Sequence, residues 1–239
     1  MKKNLSRNKF STRIAFDIKE VVSFEGSAVV VDIFRFSTTL CALLASGRKR
    51  VYVYSNPELA LMKSKIDGFD LFSEIELDTP RRFDNSPFLA LEGKNLKDEA
   101  LIVTRAGSPT VMSLRRAGKI LIGCFANMPF LVDYLKDEKD SILIVPACIF
   151  YNREHVEDFI GCETIYNALN GKDTFNAALL EIHKSGRIMD FLSTRPGGKR
   201  DLEIILQKGT MKTVPKAEIR GIFAEITEGL KVSFEKEQK

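Results

Sequence analysis

Asp32 and Arg35 stand just past an apolar run, Val29-Val30-Val31, and a hydroxyl cluster, Ser37-Thr38-Thr39, follows them. A carboxylate in that place can hold a divalent cation, and a guanidinium can fork onto phosphate or sulfonate oxygens. The hydroxyls of Thr38 and Thr39 can add hydrogen bonds to the same ligand. A plainer reading uses the same residues: Asp32 pairs with Arg35 at a strand end, and Ser37 only caps a helix.

Positioning such groups requires a strand that ends where a helix begins. In open α/β sheets ligands bind at that junction, where helix N–H groups and the helix dipole favour anions. Residues 27–33 are apolar enough for a central strand, and residues 37–46 read as the helix after it. Further strands are predicted at 13–18, 50–54, 100–104, 119–123 and 141–145. Helices are predicted from Asn56-Pro57-Glu58 to Gly68, from Gly107-Ser108-Pro109 to Gly118, from Asn127-Met128-Pro129 to Lys136, and over 156–169. From Asp173 the chain reads mostly as helix, with a loop at Arg195-Pro196-Gly197-Gly198 and a short strand near 211–214. Residues 69–93 break the rhythm with Ser73-Glu74 and Asp84-Asn85-Ser86-Pro87, and a polar stretch of that length is usually functional. The pattern predicts one α/β domain over 1–239, a largely parallel sheet flanked by helices, with a helical C-terminal region over 173–239. Asp32, Thr104, Gly123 and Pro146 fall at strand ends, and Ser37, Ser108 and Asn127 open helices, so these groups are expected on one rim.

Composition narrows the function classes. Hydrophobic residues make up 44%, charged residues 28%, and the net charge is +4. The basic residues are scattered doublets rather than a stripe, which argues against a nucleic-acid partner. RNA binding would reveal itself by steep salt dependence. The four cysteines, Cys41, Cys124, Cys148 and Cys162, lie far apart in apolar surroundings, so reduced, buried thiols in a cytoplasmic protein are expected. Residues 1–13 lack the apolar segment of a secretory signal, and the longest apolar run, 142–150, is too short to span a bilayer, so no membrane partner is expected. Neither dinucleotide nor Walker fingerprints occur, nor the nucleophile elbow of α/β hydrolases. The two histidines, His155 and His183, are not arranged to bind zinc and read as helix-surface residues.

Six blocks in order resemble the 2-phosphosulfolactate phosphatases of coenzyme M biosynthesis. Val30 to Thr39 is similar to that family's Val-Asp-Val-Leu-Arg-Ala-Thr-Thr-Thr block, and Ser73-Glu74 stands where it has Gly-Glu. Phe83 to Pro87 resembles Gly-Phe-Asp-Leu-Gly-Asn-Ser-Pro, and Val103 to Ser108 stands in for Thr-Thr-Asn-Gly-Thr. Gly123 to Asn127 is similar to Gly-Ser-x-x-Asn, and Glu157-Asp158 with Gly161-Cys162 to Leu-Glu-Asp…Cys-Ala-Gly. The resemblance implies an α/β, Mg²⁺-dependent phosphatase that releases phosphate from a small sulfonated ester. It assigns Mg²⁺ to Asp32, Glu74 and Asp84, with Glu157 and Asp158 in reserve, and catalysis to Asp32, Arg35 and Glu74. Thr38, Thr39, Asn85, Ser86, Thr104, Ser108 and Asn127 would orient the ester. No residue identifies itself as a covalent nucleophile, so direct attack by a metal-activated water is expected.

The chain departs from those blocks where a pocket would be. Arg105 replaces a threonine, Ala106 an asparagine and Ser73 a glycine; Asp84-Asn85 is shortened, and residues 146–153 are bulkier. A second reading follows: a binder of an anionic metabolite or partner in which the metal chemistry is lost. The expected partner in either case is a small anionic phosphorylated metabolite; a homodimer stays open.

Overall fold

The computed structural model describes residues 11–93, 97–195 and 197–230. β1 (Thr12–Ile14) ends sooner than its apolar pattern predicts, because the Asp17 carboxylate accepts a hydrogen bond from the Lys19 N–H and starts α1 (Ile18–Ser23). β2 (Ser27–Val31) is buried along its whole length and runs into α2 (Phe36–Ala45). After β3 (Arg50–Tyr54), Asn56 caps α3 (Pro57–Asp67), and Gly68 closes it with a left-handed φ of 63°.

The polar stretch after α3 carries short elements: β4 (Asp70–Phe72), β5 (Arg82–Phe83) and α4 (Pro87–Glu92), capped by Ser86. The βα rhythm then resumes with β6 (Glu99–Ile102), α5 (Gly107–Ser113), β7 (Lys119–Gly123), α6 (Met128–Leu135), β8 (Ile142–Pro146) and α7 (Val156–Leu169). α5 stops well before Gly118: Leu114 turns into the core, and the Gly118 N–H bonds back to the Glu25 and Gly26 carbonyls.

The C-terminal region is helical through α8 (Phe175–Lys184), α9 (Arg187–Thr194) and α10 (Gly198–Ile205), then differs from expectation. Residues 211–214 are not a strand. Instead β9 (Pro215–Arg220) and β10 (Phe223–Glu228) form a hairpin about Gly221, whose φ is 65°.

All ten strands join one sheet in the order β1-β8-β2-β7-β9-β10-β3-β6-β4-β5. The hairpin is inserted at its centre, with β9 antiparallel to β7 and β10 antiparallel to β3. It joins two parallel blocks, β1-β8-β2-β7 and β3-β6-β4-β5. Helices cover the sheet around a core built from Val29, Val31, Leu121, Ile122 and Ile144, with Leu40 and Leu43 of α2 packed on it. Close approach depends on missing side chains: a Cβ on Gly123 would lie 2.8 Å from Leu131, and one on Gly161 2.7 Å from Ile33. No helix among the described residues is long and apolar enough to cross a membrane. All four cysteines are free and buried.

Candidate active site

The carboxyl ends of β2, β6 and β8 and the amino ends of α2, α5 and α7 border a cavity of about 290 Å³. Asp32, Arg35, Glu74 and Asn85 line it, as do Glu157 and Asp158. Its remaining wall comes from Phe34, Arg105, Ala106, Tyr151 and His155, and from Arg187, Asp190, Phe191, Thr194 and Arg195 around α9.

Asp32 sits between two helix amino ends. Its Oδ1 accepts the Phe36 N–H at 3.3 Å, its carbonyl accepts the Ser37 N–H, and its own N–H donates to Ser37 Oγ at 2.9 Å. α2 and α5 meet here because Gly107 has no side chain; a Cβ would lie 2.3 Å from the Phe36 ring. Asp32 has no cationic partner among the described residues. Burial, then the charge of Glu74, pushes its pKa up to about 7 from 3.8, against the helix N–H groups that favour the anion.

The neighbouring acids are held firmly. Asp158 is buried and accepts the N–H groups of Ile33 at 2.8 Å and Cys148 at 2.9 Å, tying the β2 end to the turn after β8. Burial, then the charges of Asp32 and Glu157, holds its pKa well above the carboxylate range. Glu74 accepts the Arg105 N–H at 2.7 Å and the Asn85 amide at 3.1 Å. Glu157 receives Arg187 Nε at 2.7 Å and Nη2 at 3.0 Å.

Arg35 is 2% exposed and does not pair with Asp32. Its two terminal nitrogens reach Asp84 and Asp201. Asp201, on α10, also accepts the Ser86 hydroxyl and the Phe88 N–H, so it joins Arg35 to the start of α4. Asp84 is thereby turned toward a guanidinium rather than toward Asp32, and it does not line the cavity.

The hydroxyl and amide residues expected to orient a ligand fall into two groups. Asn85 reaches the cavity, and Ser86 borders an adjoining one with Asp84, Arg195 and Asp201. Thr38, Thr39, Thr104, Ser108 and Asn127 are buried outside its lining. Thr39 donates to the Arg35 carbonyl, and Thr104 and Ser108 bond reciprocally, each side chain taking the other's N–H. Asn127 accepts the Cys124 N–H and donates to the carbonyls of Ile122 and Thr213. Ser37 works the same way, from the first turn of α2 rather than as the helix cap, which is Arg35.

Sequence reasoning passed over Asp201, Arg187 and Arg195, and it assigned His155 to a helix surface. His155 lies in the cavity wall just before α7, half-buried, where burial and then the Arg187 charge lower its pKa below 6.5. The Arg195-Pro196-Gly197-Gly198 break was the one available signal: it puts a cation where the helical pattern stops.

Guanidiniums facing acids across a strand-end cavity define a class of protein that handles a small anion. The comparisons make that specific. A family model described as 2-phosphosulpholactate phosphatase matches residues 14–219, and the chain belongs to that family. It is 27% identical over 214 residues to a probable 2-phosphosulfolactate phosphatase of Thermotoga petrophila, covering 82% of this chain and 91% of that one. Against the 2-phosphosulfolactate phosphatase of Methanocaldococcus jannaschii it is 33% identical over 172 residues, 66% of this chain and 70% of that one. A probable 2-phosphosulfolactate phosphatase of Clostridium tetani is 28% identical over 222 residues, 84% and 94% of the two chains.

Proposed function

We propose that this protein hydrolyses a small phosphate monoester, 2-phosphosulfolactate or a related 2-phospho acid, with Mg²⁺. The observation that carries the reading is Asp32: buried, without a cationic partner, beside Glu74, in a cavity that also holds free guanidiniums. A divalent cation fits that shortage of positive charge. Mg²⁺ typically takes one or two carboxylates and completes its shell with water and substrate oxygens. Asp32 and Glu74 are the two acids that would hold it. Asp84, offered by the sequence as a third, is engaged by Arg35. When bound, the cation would neutralise ester charge and lower the pKa of an attacking water.

The chain's own groups do the rest. Asp158 fixes the backbone on both sides of the cavity floor, so Asp32 is held at one place. Arg35, clamped by Asp84 and Asp201, keeps the β5–α4 loop against α10. Phe34, Tyr151 and Phe191 line the cavity with apolar surface that limits the water around the ester. Phosphoryl transfer needs mainly such positioning and charge neutralisation.

The test is phosphate release from 2-phosphosulfolactate and a panel of small monoesters, with and without Mg²⁺, for the native protein and Asp32→Ala. Metal-dependent turnover that the substitution abolishes is the expected result. The binder reading keeps one observation in its favour: among the described residues no three His, Cys, Asp or Glu side chains converge as a metal cage. Folded protein that neither turns over any ester nor binds Mg²⁺ would select it.

A further inference from the structure

At the rim where an anion was expected to meet backbone N–H groups, many of those groups are already engaged. The N–H of Asp32 goes to Ser37, of Ile33 to Asp158 and of Phe36 to Asp32. That of Thr104 goes to Ser108, of Arg105 to Glu74, of Cys124 to Asn127 and of Cys148 to Asp158. A negatively charged ligand must therefore find side-chain cations.

Four arginines line the cavity, and two of them are already engaged. Arg35 holds Asp84 and Asp201, and Arg187 holds Glu157 and Asp190. Arg105 and Arg195 make no ion pair with any of the described residues. The Arg105 backbone is fixed by its bond to Glu74, while its side chain is exposed. The Arg195 guanidinium lies 5.3 Å from the centre of the Phe191 ring, and Arg35 lies 5.5 Å from the same ring. Arg35 is neutralised by Asp84 and Asp201, so of the two guanidiniums over this ring Arg195 is the one without a carboxylate partner among the described residues. The pKa of Arg195 is lowered, first by burial and next by the charge of Arg35; Asp84 and Glu74 oppose the shift, and Arg105 adds to it.

We propose that Arg105 and Arg195 form a second anion subsite, which binds a carboxylate or sulfonate on the substrate's carbon skeleton while the phosphate lies toward Asp32 and Glu74. The proposal rests on the phosphatase reading for the place of the phosphate, but the subsite is a property of the two arginines. It makes the protein selective for phosphate esters with another acidic group, and it gives a role to Arg105, which stands where the resembling block has threonine.

The test compares two esters that differ only in that group, 2-phosphoglycerate and glycerol 2-phosphate, in the native protein, Arg195→Met, Arg105→Met and Arg195→Lys. A charge-assisted contact is worth about 1.5–3 kcal/mol, so each Met substitution should raise KM for 2-phosphoglycerate about tenfold or more. KM for glycerol 2-phosphate should stay within about twofold, and Arg195→Lys should recover part of the loss. Calorimetry with 3-sulfolactate, which has two acidic groups and no phosphate, reads the subsite without turnover. Native binding weakened by both Met substitutions supports it even if no ester is hydrolysed, an outcome that would overturn the phosphatase reading alone. Hydrolysis in which both esters lose equally, or 3-sulfolactate binding unchanged by the substitutions, overturns the subsite and leaves the phosphatase reading in place.

Discussion

The cavity has two poles that are built in opposite ways. At the acidic pole, Asp32, Glu74 and Asp158 come from the ends of strands and the start of a helix, and each accepts backbone N–H groups. At the basic pole, Arg105 and Arg195 come from loops and bring long side chains with few fixed contacts. Buried acids need that support, because an unpaired carboxylate away from water is costly and must be held in one geometry to bind a small cation. The guanidiniums need less: Arg105 is exposed and stays solvated until the ligand arrives, Arg195 is half-buried over Phe191, and the flexible stems adapt to the ligand. The amino end of α2 thus serves the protein's own Asp32, and the N–H groups beside it are held by Asp158, before any ligand arrives.

If the acidic pole is the catalytic one, Asp32→Asn should lower kcat on the order of a thousandfold, the scale of the several kcal/mol a bound cation supplies. Thermal unfolding should show no loss of stability, because the substitution removes a buried charge that lacks a partner. A clear fall in Tm would mean that Asp32 is structural. The next largest effect concerns what anchors the basic side. Asp201→Ala leaves Arg35 buried with one partner fewer and frees Ser86 and Phe88, and breaking such a pair costs about 3–5 kcal/mol, read by urea unfolding. A loss under 1 kcal/mol, on the order of a surface pair, would show that α10 is not fixed through Asp201.

Gly107→Ala probes the junction between the poles. Its Cβ would enter the Phe36 ring, so a destabilisation of about 1–3 kcal/mol is expected, with activity falling as the two helix ends are pushed apart around Asp32. Unchanged activity at reduced stability would separate the junction from the chemistry. The smallest effect lies outside both poles. Glu138 is 6% exposed and paired with Lys119. Burial opposes its charge, yet Lys119 and the N–H groups of Asp140 and Lys139 outweigh it and bring the pKa to about 2 from 4.5. A lowered carboxylate pKa stabilises the fold fully above 4.5, and that contribution is lost as pH falls toward 2. Glu138→Gln should therefore flatten the acid limb of a stability–pH curve and leave turnover at neutral pH unchanged.

Much of the scaffold was legible from local signals. β3, β7 and α7 fall where their apolar pattern puts them, and Asn56, Pro57 and Gly68 bound α3. Asp32, Glu74, Asn85, Glu157 and Asp158 were all named from their blocks and all face one cavity. Local chemistry is enough for these, because capping and strand-end placement depend on residues a few positions apart. The β9–β10 hairpin was not legible. Its Lys, Glu and Ala residues favour helix, and the alternation that buries Ala217, Ala224 and Ile226 is rewarded only when β7 and β3 lie on either side.

The α/β rhythm, the acids at the strand ends and the family blocks that carry them are written in the order of the residues. Which charges pair is settled only in the folded chain. Arg35 finds Asp201, 166 residues away, rather than Asp32 three positions before it, and Glu157 finds Arg187. Asp32 is thus left facing the cavity without a cation, while Arg105 and Arg195 are left for a ligand. A charge's partner is set by which groups share a desolvated space, and that space exists only after the C-terminal helices close over the rim of the sheet.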